Sequence, residues 1–197
     1  PDVIVNAAAW TAVDKSETEQ QMTRRINADA PGVLAREAAA LGAWLVHYST
    51  DYVFDGSGEA PWTEADTVAP LNVYGQTKWE GEQAIVQSGC RHLVFRTSWV
   101  YAARGRNFLR TMLRLLRERK EIPVVCDQTG APTSAELLAD ITAHVVREVT
   151  RQGVARPDLS GVYHVAAAGA VSWYDYAALI AEEARRQGER LAVESLV

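Results

Sequence analysis

The sequence predicts an α/β protein in which helices cover a parallel β-sheet. Short apolar runs rich in β-branched residues alternate with longer amphipathic stretches, and this alternation is typical of strands joined by crossover helices. The chain has 197 residues, of which 48% are hydrophobic and 23% are charged. It is therefore large enough to bury one ordinary hydrophobic core.

Strands and helices can be assigned in order along the chain. Five apolar runs are predicted to be strands: VIVNA, WLVHYS, HLVFRT, IPVVC and VYHVA. Helical periodicity predicts helices over about 18–41, 73–88, 107–119, 134–151 and 172–187. The spacings Ser16 to Glu19 and Thr133 to Glu136 match a capping box, which predicts a helix start at each. The second helix is expected to bury a stripe formed by Trp79, Ala84, Ile85 and Val86.

Composition and charge exclude several classes of partner. The net charge of -5 and the pI of about 5.4 argue against a nucleic-acid partner, which requires a concentrated basic surface. Cys90 and Cys126 lack C-x-x-C spacing, so we expect two buried, reduced thiols rather than a disulfide or a zinc site. No apolar run approaches the ~20 residues of a membrane span, which predicts a cytoplasmic protein without a membrane partner. The chain starts at Pro1 and enters an apolar run at once, so we interpret it as an interior piece of a longer protein.

The segment NVYGQTKWEGE follows a long irregular loop over about 51–71 that is rich in glycine and proline. Long loops in compact domains are often functional. Tyr74 and Lys78 lie four residues apart on the predicted helix and therefore share one face. The lysine charge is expected to lower the tyrosine pKa from about 10 and so prepare the phenol for proton transfer. A Y-x-x-x-K match is weak by itself, and the alternative is a surface tyrosine beside a solvated lysine.

Candidate site residues cluster at predicted strand ends, where open α/β sheets bind their ligands. Small residues Ala7 to Ala9 follow the first strand, Thr50 ends the second, and Trp99 follows the third. A strand-end threonine, a tyrosine and a lysine can together reduce a carbonyl, in which case a nicotinamide cofactor supplies the hydride. Each residue also has a structural interpretation: Thr50 as a backbone cap, Trp99 as a core aromatic, Asp51 and Asp55 as turn residues, His47 and His164 as core histidines.

Five motifs occur together in order: VNAAAWTAVDKSE, HYSTDYVFDG, APLNVYGQTKWEGE, FRTSWVYA and DQTGAPTSAELLAD. With them the chain closely resembles the dTDP-4-dehydrorhamnose reductase family of extended short-chain dehydrogenase/reductases. The resemblance implies a Rossmann-like, doubly wound parallel sheet, incomplete here, with part of a small C-terminal substrate region. Residues 1–197 are thus interpreted as a single partial NAD(P)-binding domain, with substrate-region segments at about 99–135 and 167–197.

The resemblance also implies an activity and roles for individual residues. The expected reaction is reduction of the 4-keto group of dTDP-4-dehydro-β-L-rhamnose by NADPH or NADH, for cell-surface polysaccharide. Tyr74 corresponds to the proton donor, Lys78 to its partner and a cofactor ligand, and Thr50 to the third catalytic residue. Positions near the cofactor are matched by Ala9, Trp10, Thr11 and Tyr48, and positions contacting the dTDP-sugar by Thr50, Asp51 and Trp99. The family also forms homodimers around Mg²⁺ held by glutamates, for which Glu136 is the candidate.

Departures from the family pattern leave other functions open. The Gly-rich loop and a C-terminal portion of the substrate region are missing from the sequence, so we expect this chain to bind cofactor poorly and to reduce little. Related 4,6-dehydratases carry Thr-Asp-Glu where this chain has Thr50, Asp51 and Tyr52, which favours simple reduction, whereas an epimerase remains open. The non-enzymatic alternative is an NADP-binding subunit like the regulatory subunit of methionine adenosyltransferase, and the segment RTSWVYA favours the reductase over it.

Overall fold

The protein is described here by a computed structural model, which covers residues 1–151 and 156–197, with only the backbone of Pro157. The chain divides into two compact units. The first comprises Pro1–Thr97 and Asp140–Val165, and the second comprises Ser98–Ala139 and Ala166–Val197. The assignment of segments near 99–135 and 167–197 to substrate binding concerns function and stays a prediction. Within the described ranges, no helix has the length and apolar character needed to cross a membrane.

The first unit is built on a four-stranded parallel sheet, which confirms the predicted fold class. The strand order is β1-β2-β3-β8, with bounds Val3–Asn6, Trp44–Thr50, Arg91–Thr97 and Gly161–His164. Strand β2 is buried almost throughout, as expected for a central strand covered on both faces. Thr50 pairs in register with Thr97, so the carboxyl ends of β2 and β3 lie side by side.

Helices cover both faces of this sheet. In chain order the first unit contains α1 (Val13–Ser16), α2 (Gln20–Arg24), a π-helix (Arg25–Asp29), α3 (Ala30–Leu41), a 3₁₀ turn (Asp51–Val53), α4 (Val73–Gln87) and a second 3₁₀ turn (Pro157–Leu159). One core cluster joins α3 and α4 to Leu45 and Val94 of the sheet. The other cluster joins Val149, near the end of α6 (Ala135–Val149), to Trp44 and Phe95.

The second unit has its own core between two helices. Helices α5 (Phe108–Glu118) and α7 (Trp173–Arg186) bury Met112, Leu116 and Ile180. Three two-stranded pairs complete the unit: β4 with β7 (Val100–Tyr101, Thr133–Ser134), β5 with β10 (Glu121–Ile122, Ser195–Leu196) and β6 with β9 (Thr129–Gly130, Val171–Ser172).

The predicted strand IPVVC is wrong. Only Glu121–Ile122 forms a strand, and it pairs with Ser195–Leu196 in the second unit rather than joining the main sheet. Pro123 follows immediately, and proline lacks the N–H that a ladder requires.

The helix predicted over about 18–41 forms without a gap from Gln20 to Leu41, but the prediction missed its central π-helix, Arg25–Asp29, which separates α2 from α3. Pro31 has no N–H to bond the carbonyl four residues earlier, which is that of Asn27. The freed Asn27 carbonyl instead lies close against Gly81 of α4, where a Cβ would stand 2.2 Å from it. The π-helix therefore results from one proline and one helix contact.

Neither predicted capping box forms. Ser16 donates its hydroxyl to the Ala12 carbonyl at 3.1 Å, and Thr133 donates to the Ala131 carbonyl at 2.9 Å. The cap of α6 is Ser134, whose hydroxyl accepts from the Leu137 N–H at 3.0 Å. The prediction of two buried thiols holds for Cys90 alone, because Cys126 is exposed.

Candidate active site

Strand β2 presents different side chains to its two covering layers. Because side chains alternate along a strand, His47 and Ser49 face α4, whereas Trp44 and Val46 pack in the cluster with Val149 of α6. Tyr48 also packs in that second cluster, where its hydroxyl is 2.7 Å from the Thr142 hydroxyl. Its backbone carbonyl, not its side chain, reaches the Tyr74–Lys78 helix.

Helix α4 turns a polar face inward, contrary to the predicted apolar stripe. Trp79 and Ala84 are only partly buried and Val86 is 44% exposed, although Ile85 is fully buried. The buried positions are instead Gly75, Thr77, Lys78, Gly81, Glu82 and Ile85. Periodicity of apolar residues could not reveal this face, because its side chains are paired with polar partners on β2 and β3.

Tyr74 lies at the start of α4, beside the carboxyl end of β2. Asn72 caps the helix by accepting from the Gly75 N–H at 2.8 Å. The Thr50 side chain lies close enough to the phenol to lower its pKa, and the Tyr74 ring packs edge-on against Tyr52 with centroids 5.6 Å apart. Thr50 also bonds locally, donating to Asp51 Oδ1 at 3.0 Å and accepting from the Tyr52 N–H at 3.2 Å.

The predicted lowering of the Tyr74 pKa is wrong for this structure. Burial raises the pKa of Tyr74 to about 12, and this effect outweighs the opposing influence of Thr50, while Asp51 and Tyr52 raise the pKa further. Removal of the phenol from water disfavours the phenolate. Tyr74 is consequently a phenol that keeps its proton at neutral pH.

Lys78 is enclosed in the same site, with 1% of its surface exposed. Its Nζ donates to the Tyr48 carbonyl at 2.5 Å and lies 3.1 Å from His47 Nε2. Burial lowers the pKa of Lys78 to about 8, although the negative charge of Glu82 opposes this shift. The ammonium and amine forms therefore lie close in free energy near neutral pH.

A buried ion pair lies one helical turn beyond Lys78. Glu82 receives two bonds from Arg96 Nε, at 3.1 and 3.2 Å, and one from Nη2 at 2.7 Å. The Ser49 hydroxyl donates to the same carboxylate. Arg96 also stacks over the Phe54 ring, 5.2 Å from its centroid. Sequence reasoning missed this pair, because a glutamate on a helix and an arginine on a strand look like surface charges.

The loop after β1 contains the predicted cofactor positions Ala9, Trp10 and Thr11. Asn27 of the π-helix holds this loop by two bonds: its Oδ1 accepts from the Trp10 N–H at 2.8 Å, and its Nδ2 donates to the Trp10 carbonyl at 3.0 Å. Asn27 is 1% exposed. No motif pointed to it, since its position depends on the π-helix between α2 and α3.

Two predicted site residues belong to the second unit. Trp99 has a φ of 45°, a left-handed conformation that is unusual for a bulky residue. Its ring stacks on that of Trp173 with centroids 3.3 Å apart, and a Cβ on Gly130 would stand 2.4 Å from it. Glu136 is exposed on the first turn of α6. Among the residues that the structure describes, no group of three or more His, Cys, Asp or Glu side chains is placed to hold a metal ion.

Comparison with known proteins identifies the family. Residues 1–195 match the model of the RmlD substrate binding domain. The chain is 56% identical, over 196 residues, to dTDP-4-dehydrorhamnose reductase of Escherichia coli K12, and this alignment covers 100% of the chain and 64% of the relative. The corresponding protein of Burkholderia thailandensis is 51% identical over 90% of the chain and 59% of its own length. The chain thus spans less than two thirds of the length of these two relatives.

Solved structures agree with the sequence comparison. A dTDP-4-dehydrorhamnose reductase from Clostridium acetobutylicum has a TM-score of 0.87 at 39% identity, with coverage of 100% of this chain and 65% of that one. A dTDP-4-dehydrorhamnose reductase from Bacillus anthracis, solved in complex with NADP, has a TM-score of 0.85 at 36% identity, with coverage of 100% and 66%. The chain therefore belongs to the RmlD substrate-binding domain family.

Proposed function

We propose that the protein containing this chain reduces the 4-keto group of dTDP-4-dehydro-β-L-rhamnose to give dTDP-L-rhamnose. The observation that carries the proposal is the arrangement of Thr50, Tyr74 and Lys78 at the carboxyl end of β2, in a chain whose relatives are named for this reaction. The substrate and the activity come from those names, since the chain covers only 64% of the first relative.

A nicotinamide cofactor, NADPH or NADH, would supply the hydride when bound. The residues present fit part of its site. Ala7 and Ala8 are exposed after β1, and their small side chains let a ligand approach the backbone. Lys78 Nζ has two partners in the described structure, His47 and the Tyr48 carbonyl, which leaves an N–H for a ribose hydroxyl. Ala9, Trp10 and Thr11 are the further cofactor positions that we propose.

Tyr74 acts as the proton donor in this proposal. As hydride reaches the carbonyl carbon, negative charge develops on the oxygen, and an alkoxide is far more basic than a phenolate. A phenol with a pKa of about 12 can therefore still protonate it, yet does not lose its proton to solvent beforehand. Thr50, whose side chain lies near Tyr74, orients the carbonyl oxygen.

Substrate contacts are proposed at Thr50, Asp51 and Trp99. The left-handed φ of Trp99 supports a functional role, because backbone strain in bulky residues clusters at ligand-binding positions. A homodimer and a cytoplasmic location also remain proposals. A magnesium ion at Glu136 gains no support from the described acidic side chains, and no step is assigned to it.

The test is turnover of enzymatically generated dTDP-4-dehydrorhamnose by the whole protein, followed by nicotinamide absorbance. Tyr74→Phe should lower kcat by at least 10²-fold, the lower end of what general acid catalysis contributes. Tyr163→Phe is the matched control, because its hydroxyl donates to the Leu159 carbonyl at 2.7 Å and its ring packs in the cluster with Val149. If the wild type oxidises neither cofactor, the non-catalytic NADP-binding subunit becomes the better interpretation.

A further inference from the structure

A line of hydrogen bonds connects the loop after β1 to Lys78. The Ala8 N–H donates to Asn6 Oδ1 at 3.2 Å, and Asn6 Nδ2 lies 3.0 Å from His47 Nδ1. His47 Nε2 lies 3.1 Å from Lys78 Nζ, and Nζ in turn donates to the Tyr48 carbonyl at 2.5 Å. Asn6 and His47 are both buried, and His47 is 0% exposed.

This line has a fixed direction, because its first member can only donate. The backbone N–H of Ala8 requires an acceptor, so the oxygen of the Asn6 amide faces it and the NH₂ group faces His47. His47 Nδ1 must then accept, and the proton of the neutral imidazole is carried by Nε2. That N–H points at Lys78. An amine has a lone pair to receive it, whereas an ammonium has none.

To donate to His47, the ammonium form of Lys78 would need the opposite arrangement. His47 Nε2 would have to accept, so its proton would move to Nδ1 and point at Asn6. The Asn6 amide would then turn its oxygen toward His47 and place its NH₂ group against the Ala8 N–H, with the loss of that bond. With either arrangement, one hydrogen bond of the line is lost whenever Lys78 is charged.

We propose that Asn6 and His47 are positioning residues for Lys78: their one-way hydrogen bonding favours its amine form and so makes its proton available for transfer. This inference rests on the proposed function. In the reaction, the Tyr74 O–H bond breaks as its proton bonds to the substrate oxygen. A Lys78 N–H bond then breaks as its proton re-forms the Tyr74 hydroxyl. His47 keeps its proton on Nε2 throughout, so this N–H has no acceptor while Lys78 is an ammonium and gains one when the amine is left behind. Lys78 finally regains a proton from water.

The charged groups around Lys78 agree with this role. Glu82, on the same helix, favours the ammonium, but its carboxylate is already bonded by Arg96 of β3 and by Ser49 of β2. Burial and the neighbouring Lys78 keep the pKa of His47 well below its ordinary value, so the ring stays neutral while Lys78 titrates. The lowered pKa of Lys78 and the raised pKa of Tyr74 both favour proton transfer from the lysine to the tyrosinate.

Two variants of the whole protein test the inference without turnover. Asn6→Asp offers oxygen atoms to both Ala8 N–H and His47, which moves the imidazole proton to Nδ1 and leaves Nε2 to accept from an ammonium. His47→Gln places an amide that can rotate its oxygen toward Lys78 and adds no charge. The measurement is the pH titration of the Lys78 side-chain ¹⁵N resonance, assigned by its loss in Lys78→Met, together with the ¹⁵N shifts of the His47 ring.

Both variants should raise the titration midpoint of Lys78 by at least one pH unit, a tenfold gain in proton affinity. In the wild type, the His47 ring should carry its proton on Nε2 above that midpoint. If the Lys78 midpoint rose in Asn6→Asp but not in His47→Gln, the added charge would explain the rise and the inference would be overturned. It would also be overturned if the wild-type His47 ring carried its proton on Nδ1 above the midpoint. Neither readout needs substrate. If the wild type were inactive while both variants raised the Lys78 midpoint, the proposed function would be rejected and the effect of Asn6 and His47 on Lys78 would stand.

Discussion

Lys78 shows how a site residue can oppose stability. Its pKa is about 8 in the folded chain against 10.5 for the free side chain, so the unfolded chain binds the proton more tightly. Between these pH values the free energy of unfolding rises with pH, and below about pH 8 the full penalty is present. The difference corresponds to roughly 3 kcal/mol as an upper value. Such a cost is typical where function requires a buried charge.

Replacement of this lysine by an apolar residue should therefore stabilise the protein. We expect Lys78→Met to raise the free energy of unfolding at pH 7 by up to about 3 kcal/mol, and the gain should vanish above the pKa of the free lysine. Urea unfolding of the wild type and Lys78→Met at several pH values measures this change in the free energy of unfolding. Lys120→Met is the control, since that side chain is 80% exposed and should change little. A destabilised Lys78→Met at pH 7 would show that the bonds of Nζ outweigh its desolvation.

Removal of one charge from the ion pair of Glu82 and Arg96 should lower the free energy of unfolding, whereas Lys78→Met should raise it. Both side chains are almost completely buried, with 1% and 7% exposed. Glu82→Gln leaves the guanidinium without its counter-charge, and we expect a loss of about 3–5 kcal/mol in denaturant unfolding. The double variant Glu82→Met with Arg96→Met should recover most of this loss. Equal destabilisation in the single and double variants would contradict the interpretation.

At the scale of elements, one close contact joins α4 to the π-helix. Gly81 lies so near the Asn27 carbonyl that a Cβ would stand 2.2 Å from the oxygen. Gly81→Ala should therefore push the two elements apart and cost about 1–3 kcal/mol in unfolding free energy, although alanine favours helix more than glycine does. Gln87→Ala, at the exposed end of the same helix, is the control. A stabilised Gly81→Ala would show that the backbone shifts at little cost.

Prediction of the elements from sequence succeeded where packing follows one simple pattern. The helices near 73–88, 107–119 and 172–187 form with ends within one residue of the predicted ones, because their N-caps and helical composition act locally. It failed at Ile122–Cys126 and missed the π-helix inside the helix near 18–41, where a proline and a distant partner strand or helix decide the outcome. Local propensity depends only on neighbouring residues, so it cannot predict partners that are distant in the sequence.

At the scale of the whole molecule, cofactor affinity is the property that the sequence itself limits. The 197 residues contain no Gly-rich phosphate-binding loop, which in this class of fold places the pyrophosphate at a helix N-terminus. We expect this chain to bind NADPH or NADH much more weakly than the whole protein does. Calorimetry on the 197-residue chain and on the whole protein measures the two Kd values. A low micromolar Kd for the 197-residue chain would contradict the expectation.

The sequence by itself determined the fold class and the family, and it led to the proposal of Thr50, Tyr74 and Lys78 as site residues, because the alternation of strands with helices, helix spacing and ordered motifs are local signals. Only the tertiary structure decided the chemistry around them. The pKa of Tyr74 is raised rather than lowered because its burial outweighs any effect of the nearby lysine. His47, predicted as a core histidine, contacts Lys78 across 31 residues. Burial and long-range hydrogen bonds set these proton affinities, and neither is encoded in the spacing of residues along the chain.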